Sequence, residues 1–103
     1  MLAEISVFPL DKGGEGLSRY VAEAVRAIES SGLDFEVHAL GTLIEGPTDK
    51  VFEVIRQCHE LVAAHSNRVV TYVRIDDRKW VHSAIRSKVR SVEEKLGREF
   101  GKK

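Results

Sequence analysis

A two-layer α+β sandwich, with four antiparallel strands under two helices and a further helix at the C-terminus, is the fold class this sequence predicts. Three observations predict it. Apolar residues alternate with a period of two in four separate runs, and they recur at helical spacing in three others. The runs follow one another in the order βαββαβ, with the third helical run last.

"LAEISVFPL" sets Ala3, Ile5 and Val7 on one side and Leu2, Glu4, Ser6 and Phe8 on the other, and Pro9 ends this first strand. The glycines of "DKGGEG" make a loop. Leu17, Tyr20, Val21, Ala24, Val25 and Ile28 then follow one face of a helix that stops at Gly32. "LDFEVHAL" alternates again, and Gly41 lies where the chain turns back into "TLIE", so these two strands form a hairpin. Gly46 and Pro47 close it. A proline costs a helix start nothing, because the first amides of a helix have no acceptor within it. The second helix carries Val51, Val54, Ile55, Cys58, Leu61, Val62 and His65 on one face. "RVVTYVRID" is the fourth strand, with Val69, Thr71, Val73 and Ile75 opposed to Val70, Tyr72, Arg74 and Asp76. After "DRKW", Val81, Ile85, Val89, Val92 and Leu96 form the narrow apolar stripe of a last helix, about 81–99, within one domain spanning 1–103.

This order is that of the ferredoxin-like split βαβ arrangement, in which the first and third strands are central and the fourth flanks the first. Both helices cover one sheet face. The other face is then expected to carry Glu4, Ser6, Phe8, Thr42, Ile44, Tyr72, Arg74 and Asp76. Such a mixture is too wet for a core and too apolar for bare solvent, so a second copy of the chain is expected to cover it. The last helix is a second candidate contact.

Composition narrows the function classes. The 16 basic and 16 acidic side chains cancel, so no whole-chain basic field attracts nucleic acid. The single cysteine excludes an internal disulfide framework and a multi-cysteine zinc site, and fits a reducing compartment. No signal-peptide pattern or apolar run of membrane length is visible, so a cytoplasmic location without a membrane partner is expected.

The most informative polar pattern is "GTLIEG". A threonine hydroxyl both donates and accepts and a carboxylate only accepts, so Thr42 and Glu45 together would orient an amine-bearing or cationic small molecule. The alternative is a hairpin whose threonine is a β-former and whose glutamate is solvated. Three residues apart on a strand, the two side chains leave from opposite faces. A shared ligand would therefore sit at the strand end.

Other patterns carry less. Asp76 and Asp77 are adjacent acids whose side chains diverge, a poor metal site and a better turn cap or partner for Arg74 and Arg78. His38, His59, His65 and His82 lack metal-binding spacing, and His59 reads as a boundary residue bonded to a neighbour. Cys58 reads as packing rather than as a nucleophile. "DKGGEG" before a helix resembles an anion cradle but lacks the GxxxxGK(S/T) pattern of a nucleotide-binding loop and a downstream Mg²⁺ partner. Tyr20 falls on the apolar face of its helix, and Ser18 is a surface group or one facing the strand ends. The charges of "KVRSVEEKL" read as a solvated helix face.

Taken together, "AEISVFPL", "LSRYVAEAV", "ALGTLIEG", "CHE", "RVVTYVRIDDR" and "KVRSVEEKL" resemble, in order and over nearly the whole chain, the small thiamine-binding proteins also described as YkoF-like thiamine/hydroxymethylpyrimidine-binding proteins. The resemblance implies a ferredoxin-like subunit, dimers through sheet faces, pairing of dimers into tetramers, and ligand binding without turnover or cofactor. Carried over by position, Glu4, Ser6, Ser18, Tyr20, Thr42, Glu45 and Asp76 are the ligand-binding candidates, with Gly41 matching in the hairpin. The sequence departs from the family after "IDDR", where Lys79 and Trp80 stand in place of a further Arg-Asp. A regulatory interaction module without a vitamin ligand is the rival reading. An acyl-phosphate hydrolase on the same fold is another, and its first loop offers Lys12 where that chemistry needs arginine.

Overall fold

The computed structural model describes residues 1–11 and 14–79 and the single positions 85, 92 and 95, with the side chains of 14–18 outside that description. Its elements are β1 (Leu2–Pro9), α1 (Gly14–Ser31), β2 (Asp34–His38), β3 (Gly41–Glu45), α2 (Thr48–Ala63) and β4 (Val69–Asp76). The strands form one antiparallel sheet in the order β2-β3-β1-β4, with β1 and β3 central as the sequence predicts. This α+β arrangement is consistent with a ferredoxin-like fold. The helix expected at 81–99, and Trp80 before it, lie outside the described residues apart from those three positions.

Local chemistry sets the element ends. Gly32 takes φ +77° directly after α1, a backbone region that costs a residue with a Cβ about 1–2 kcal/mol. There the Ser31 hydroxyl donates to the Ile28 carbonyl and accepts the Leu33 amide at 3.2 Å, which turns the chain into β2. Pro47 sits at the N-cap of α2 with φ −58° and ψ 142°, and its carbonyl accepts the first helical bond from Val51 at 3.0 Å. α2 buries Val51, Val54, Cys58 and Val62. Leu61 and His65, expected on the same face, are exposed, and His65 lies beyond the helix end.

Both helices pack on one sheet face. Ile28 of α1 and Val51, Val54 and Cys58 of α2 close over Ala3, Ile5 and Ile44. Burying such side chains is worth roughly 1.5–3 kcal/mol each. The strand register corrects one expectation. His38 pairs with Gly41 across a two-residue turn, so Val37 faces Thr42 and Phe35 faces Ile44. On β1, Ile5 lies opposite Thr42 and Ala3 opposite Ile44. Directly paired residues share a face, so Thr42 and Ile44 lie under the helices and not on the open face. Placing the bend at Gly41 alone shifts β3 by one residue and inverts it. The open face instead carries Leu2, Glu4, Ser6, Phe8, Leu43, Glu45, Tyr72, Arg74 and Asp76.

Candidate functional site

The four strands differ in length, and the difference builds a pocket. β1 and β4 have 8 residues each, whereas β2 and β3 have 5. Pairing of β1 with β3 ends at Ile5 opposite Thr42, while pairing with β4 continues to Pro9 opposite Val69. The hairpin therefore stops short of the end of β1, and α1 overhangs the gap. A pocket of about 440 Å³ opens there, lined by Val21, Ala24, Val25 and Ile28 of α1, Ile5 to Phe8 of β1, His38 to Thr42 of the hairpin, and Val37 and Cys58. Its size lies within the roughly 300–1,000 Å³ of small-molecule sites.

Thr42 is the polar member of the core at 7% exposure. No hydrogen bond to its hydroxyl is formed among the described residues, and none of their fully sealed side-chain polar atoms lacks a partner. Thr42 lines the pocket, so its hydroxyl is available as donor and acceptor beside a largely apolar wall. Gly41 beside it fits closely, since a Cβ there would stand 3.0 Å from the Ile5 carbonyl oxygen, tighter than ordinary contact.

The carboxylates occupy the opposite face. Leu2 pairs with both Glu45 and Asp76, which puts these three side chains in one row. In the next row, Glu4 Oε1 accepts from Arg74 Nε at 2.7 Å and lies 2.6 Å from its second guanidinium nitrogen, while Oε2 is 3.5 Å from His38 Nε2. A smaller recess of about 280 Å³ lies against Leu2, Glu4, Leu43, Arg74, Ile75 and Asp76. Glu45 accepts the Ile85 amide at 3.4 Å. Phe8 and Tyr72 stack with ring centroids 5.9 Å apart at the far end of this face.

The fold thus brings Glu4, Ser6, Glu45 and Asp76 onto one face and leaves Thr42 on the other. Ser6 also borders the α1 pocket through its place on β1. Tyr20 is elsewhere, its ring 5.8 Å from that of His65 where α1 meets the end of α2. The Ser18 side chain and the Lys12 loop lie outside the described residues. His59 bonds Thr71 Oγ1 through Nδ1 at 2.6 Å, a helix-to-strand tie of the kind expected of it. The sequence reading missed the apolar lining of the pocket, Ala24 and Val25 above all. The signal was present in the unequal strand lengths.

Cys58 lines the pocket floor and reaches the Ala24 carbonyl at 3.7 Å. Burial pushes its thiol up from 9.0 to about 11, which leaves almost no thiolate at neutral pH. Iodoacetamide at pH 8 is expected to spare the folded protein and to modify it in denaturant. The folded thiol keeps its proton to higher pH than the unfolded one, so its contribution to stability is intact below pH 9 and is lost as pH rises through about 11. The loss is on the order of 2 kcal/mol, read from urea unfolding at stepped pH. Rapid alkylation of the folded protein at pH 8 would contradict this burial.

Among the described residues no cluster of three or more His, Cys, Asp or Glu is placed to hold a metal ion, and no helix is long and apolar enough to cross a membrane.

Comparison with known proteins adds to this geometry. A family model described as "thiamine-binding protein" matches residues 3–93. A UPF0045 protein of Methanothermobacter thermautotrophicus is 41% identical over 96 residues, covering 91% of this chain and 97% of that one. A UPF0045 protein of Bacillus subtilis, YqgV, is 30% identical over 100 residues, covering 92% and 96%. The crystal structure of hypothetical protein MJ1052 of Methanocaldococcus jannaschii superimposes with a TM-score of 0.83 at 33% identity, covering 90% and 95%. A Thermotoga maritima structure, provisionally assigned to thiamine biosynthesis or salvage, shares the fold with a TM-score of 0.72 at 21% identity, covering 93% and 94%. With the model spanning nearly its whole length and relatives this similar, the chain belongs to the thiamine-binding protein family.

Proposed function

We propose that the protein is a non-enzymatic binding protein for thiamine or its hydroxymethylpyrimidine moiety, held in the pocket under α1. The observation that carries this reading is the spare hydroxyl of Thr42, 7% exposed, set in an apolar pocket of about 440 Å³. Apolar walls suit the faces of a flat heteroaromatic ring, and one hydroxyl suits a ring nitrogen or amino group. The family membership supports the same ligand class. Isothermal calorimetry with thiamine and with hydroxymethylpyrimidine tests it. Saturable heat with one site per chain is expected from at least one of them. Absence of heat from both, at protein concentrations in the high micromolar range, would overturn the ligand assignment.

The protein acts as an oligomer in this proposal, with a second copy on the open sheet face. Tyr72, 63% exposed beside the half-buried Phe8, supports that placement, because an exposed tyrosine is a frequent anchor of protein contacts. Tyr72→Asp is expected to lower the mass measured by light scattering to that of a smaller assembly, with melting of the subunit itself little changed. An unchanged mass would remove this face from the assembly. The same surface, without any vitamin ligand, is what the interaction-module reading requires, and the calorimetry separates the two.

A further inference from the structure

We infer that His38 positions one wall of the pocket through a tie across the sheet to Glu4, and that a proton taken up by His38 tightens ligand binding. This rests on the functional reading above and adds a regulator to that site, the proton.

Three strands meet in one contact. Arg74 of β4 donates from Nε to Glu4 Oε1 at 2.7 Å and brings a second guanidinium nitrogen to 2.6 Å of the same oxygen. Oε2 is thereby left for His38 of β2, whose Nε2 lies 3.5 Å away. β3 runs between β1 and β2, and two strand spacings amount to about 9–10 Å. The two side chains bridge that distance because Gly41, the β3 residue paired with His38, has no side chain. A Cβ there would stand 3.4 Å from Glu4 Cγ.

The tie bears on the pocket because β2 is otherwise held lightly. It is an edge strand, paired with β3 alone and exposed at all 5 positions. Among the described residues no other side chain of β2 forms a hydrogen bond or ion pair. Yet the run from Val37 to Thr42, turn included, makes one wall of the pocket. An element with so few buried contacts opens locally at low cost. A neutral imidazole offers Glu4 a weak polar contact, whereas an imidazolium offers it an ion pair. Among the described residues, the charged groups about the ring are Glu4 of β1, Arg74 behind it on β4, and Glu36 on the same face of β2. β3 sets uncharged Gly41 and Leu43 there, and α1 brings only apolar side chains to the pocket. Acidification from pH 8 to pH 6, the range in which histidine ordinarily gains its proton, thus holds the wall in place.

Amide hydrogen exchange of the ligand-free protein at pH 6 and pH 8, each rate taken relative to an unfolded peptide at the same pH, tests the tie. Protection from Val37 to Thr42 is expected to be about threefold higher at pH 6, the strength of a partly exposed ion pair. In His38→Gln and in Glu4→Gln it should be equal at the two pH values. Calorimetry with thiamine should follow the same course, with binding about threefold tighter at pH 6 in the wild type and no difference in His38→Gln. His38→Lys, charged throughout, should give the tighter value at both. Protection that ignores pH, or a response that survives in His38→Gln, would overturn the inference. Affinity for thiamine that stays level while protection rises would overturn it too. So would affinity that falls on acidification, the mark of an imidazolium repelling the thiazolium directly. Absence of binding by thiamine and hydroxymethylpyrimidine at both pH values would overturn the proposed function, and the exchange rates would still decide whether His38 holds the hairpin.

Discussion

Ile44→Ala is expected to destabilise the protein by about 2–5 kcal/mol, the cost of removing a large buried aliphatic side chain and leaving part of its volume empty. Ile44 is 0% exposed and packs with Ala3, Ile5, Ile28, Val51 and Val54 in the core between sheet and helices. Against a typical total of about 5–15 kcal/mol this is a large fraction. In a domain of this size each kcal/mol lowers the melting temperature by roughly 4–8 °C. Circular dichroism should therefore show melting at least about 10 °C below the wild type. The result discriminates between two positions for β3. With Ile44 on the open face, the substitution would weaken association and leave the subunit's stability nearly intact. A change of mass by light scattering without a fall in stability would show that β3 is shifted by one residue. Leu43→Ala, on the open face and half-buried, serves as the comparison and should cost less.

Ala24→Phe is the second large effect, on ligand affinity. Ala24 lines the pocket from α1, and its carbonyl accepts from Cys58 across the floor. A phenyl ring there occupies the space proposed for the ligand, and the empty volume beside it limits the overpacking cost to about 1–3 kcal/mol. Affinity for hydroxymethylpyrimidine is expected to fall by at least about 100-fold, which corresponds to roughly 2.7 kcal/mol. Glu45→Gln and Asp76→Asn, in the row at the other end of the open face, should leave it unchanged. The reverse pattern, with a binding-competent Ala24→Phe and a large loss in Glu45→Gln, would move the ligand to the strand-end row. A melting curve for each variant separates loss of the site from loss of the fold.

The element order was legible because periodicity reports burial directly. Ala3 and Ile5 alternate with Glu4 and Ser6, and Val51, Val54, Cys58 and Val62 recur along one helix face. The alternation in β3 was legible too, since Thr42 and Ile44 share one face and Leu43 and Glu45 the other. What it could not give was which set points at the helices. That depends on whether the turn holds one residue or two, and the pairing of His38 with Gly41 settles it. Spacing places Tyr20 on the apolar face of α1, but only the fold leaves it half-buried with the His65 ring against its own.

The sequence by itself determined the four strands and the first two helices, their order, and the separation of Thr42 from Glu45 onto opposite faces. These follow from local geometry, two residues per strand repeat and 3.6 per helical turn. Only the tertiary structure decided where a pocket opens. The pocket exists because β3 ends opposite Ile5 while β1 and β4 run on together, a difference in pairing length between strands far apart in the chain. It is apolar because α1 overhangs that gap with Ala24, Val25 and Ile28, residues that periodicity marks only as buried. Local spacing fixes which face a side chain leaves from, and long-range pairing fixes what stands opposite it.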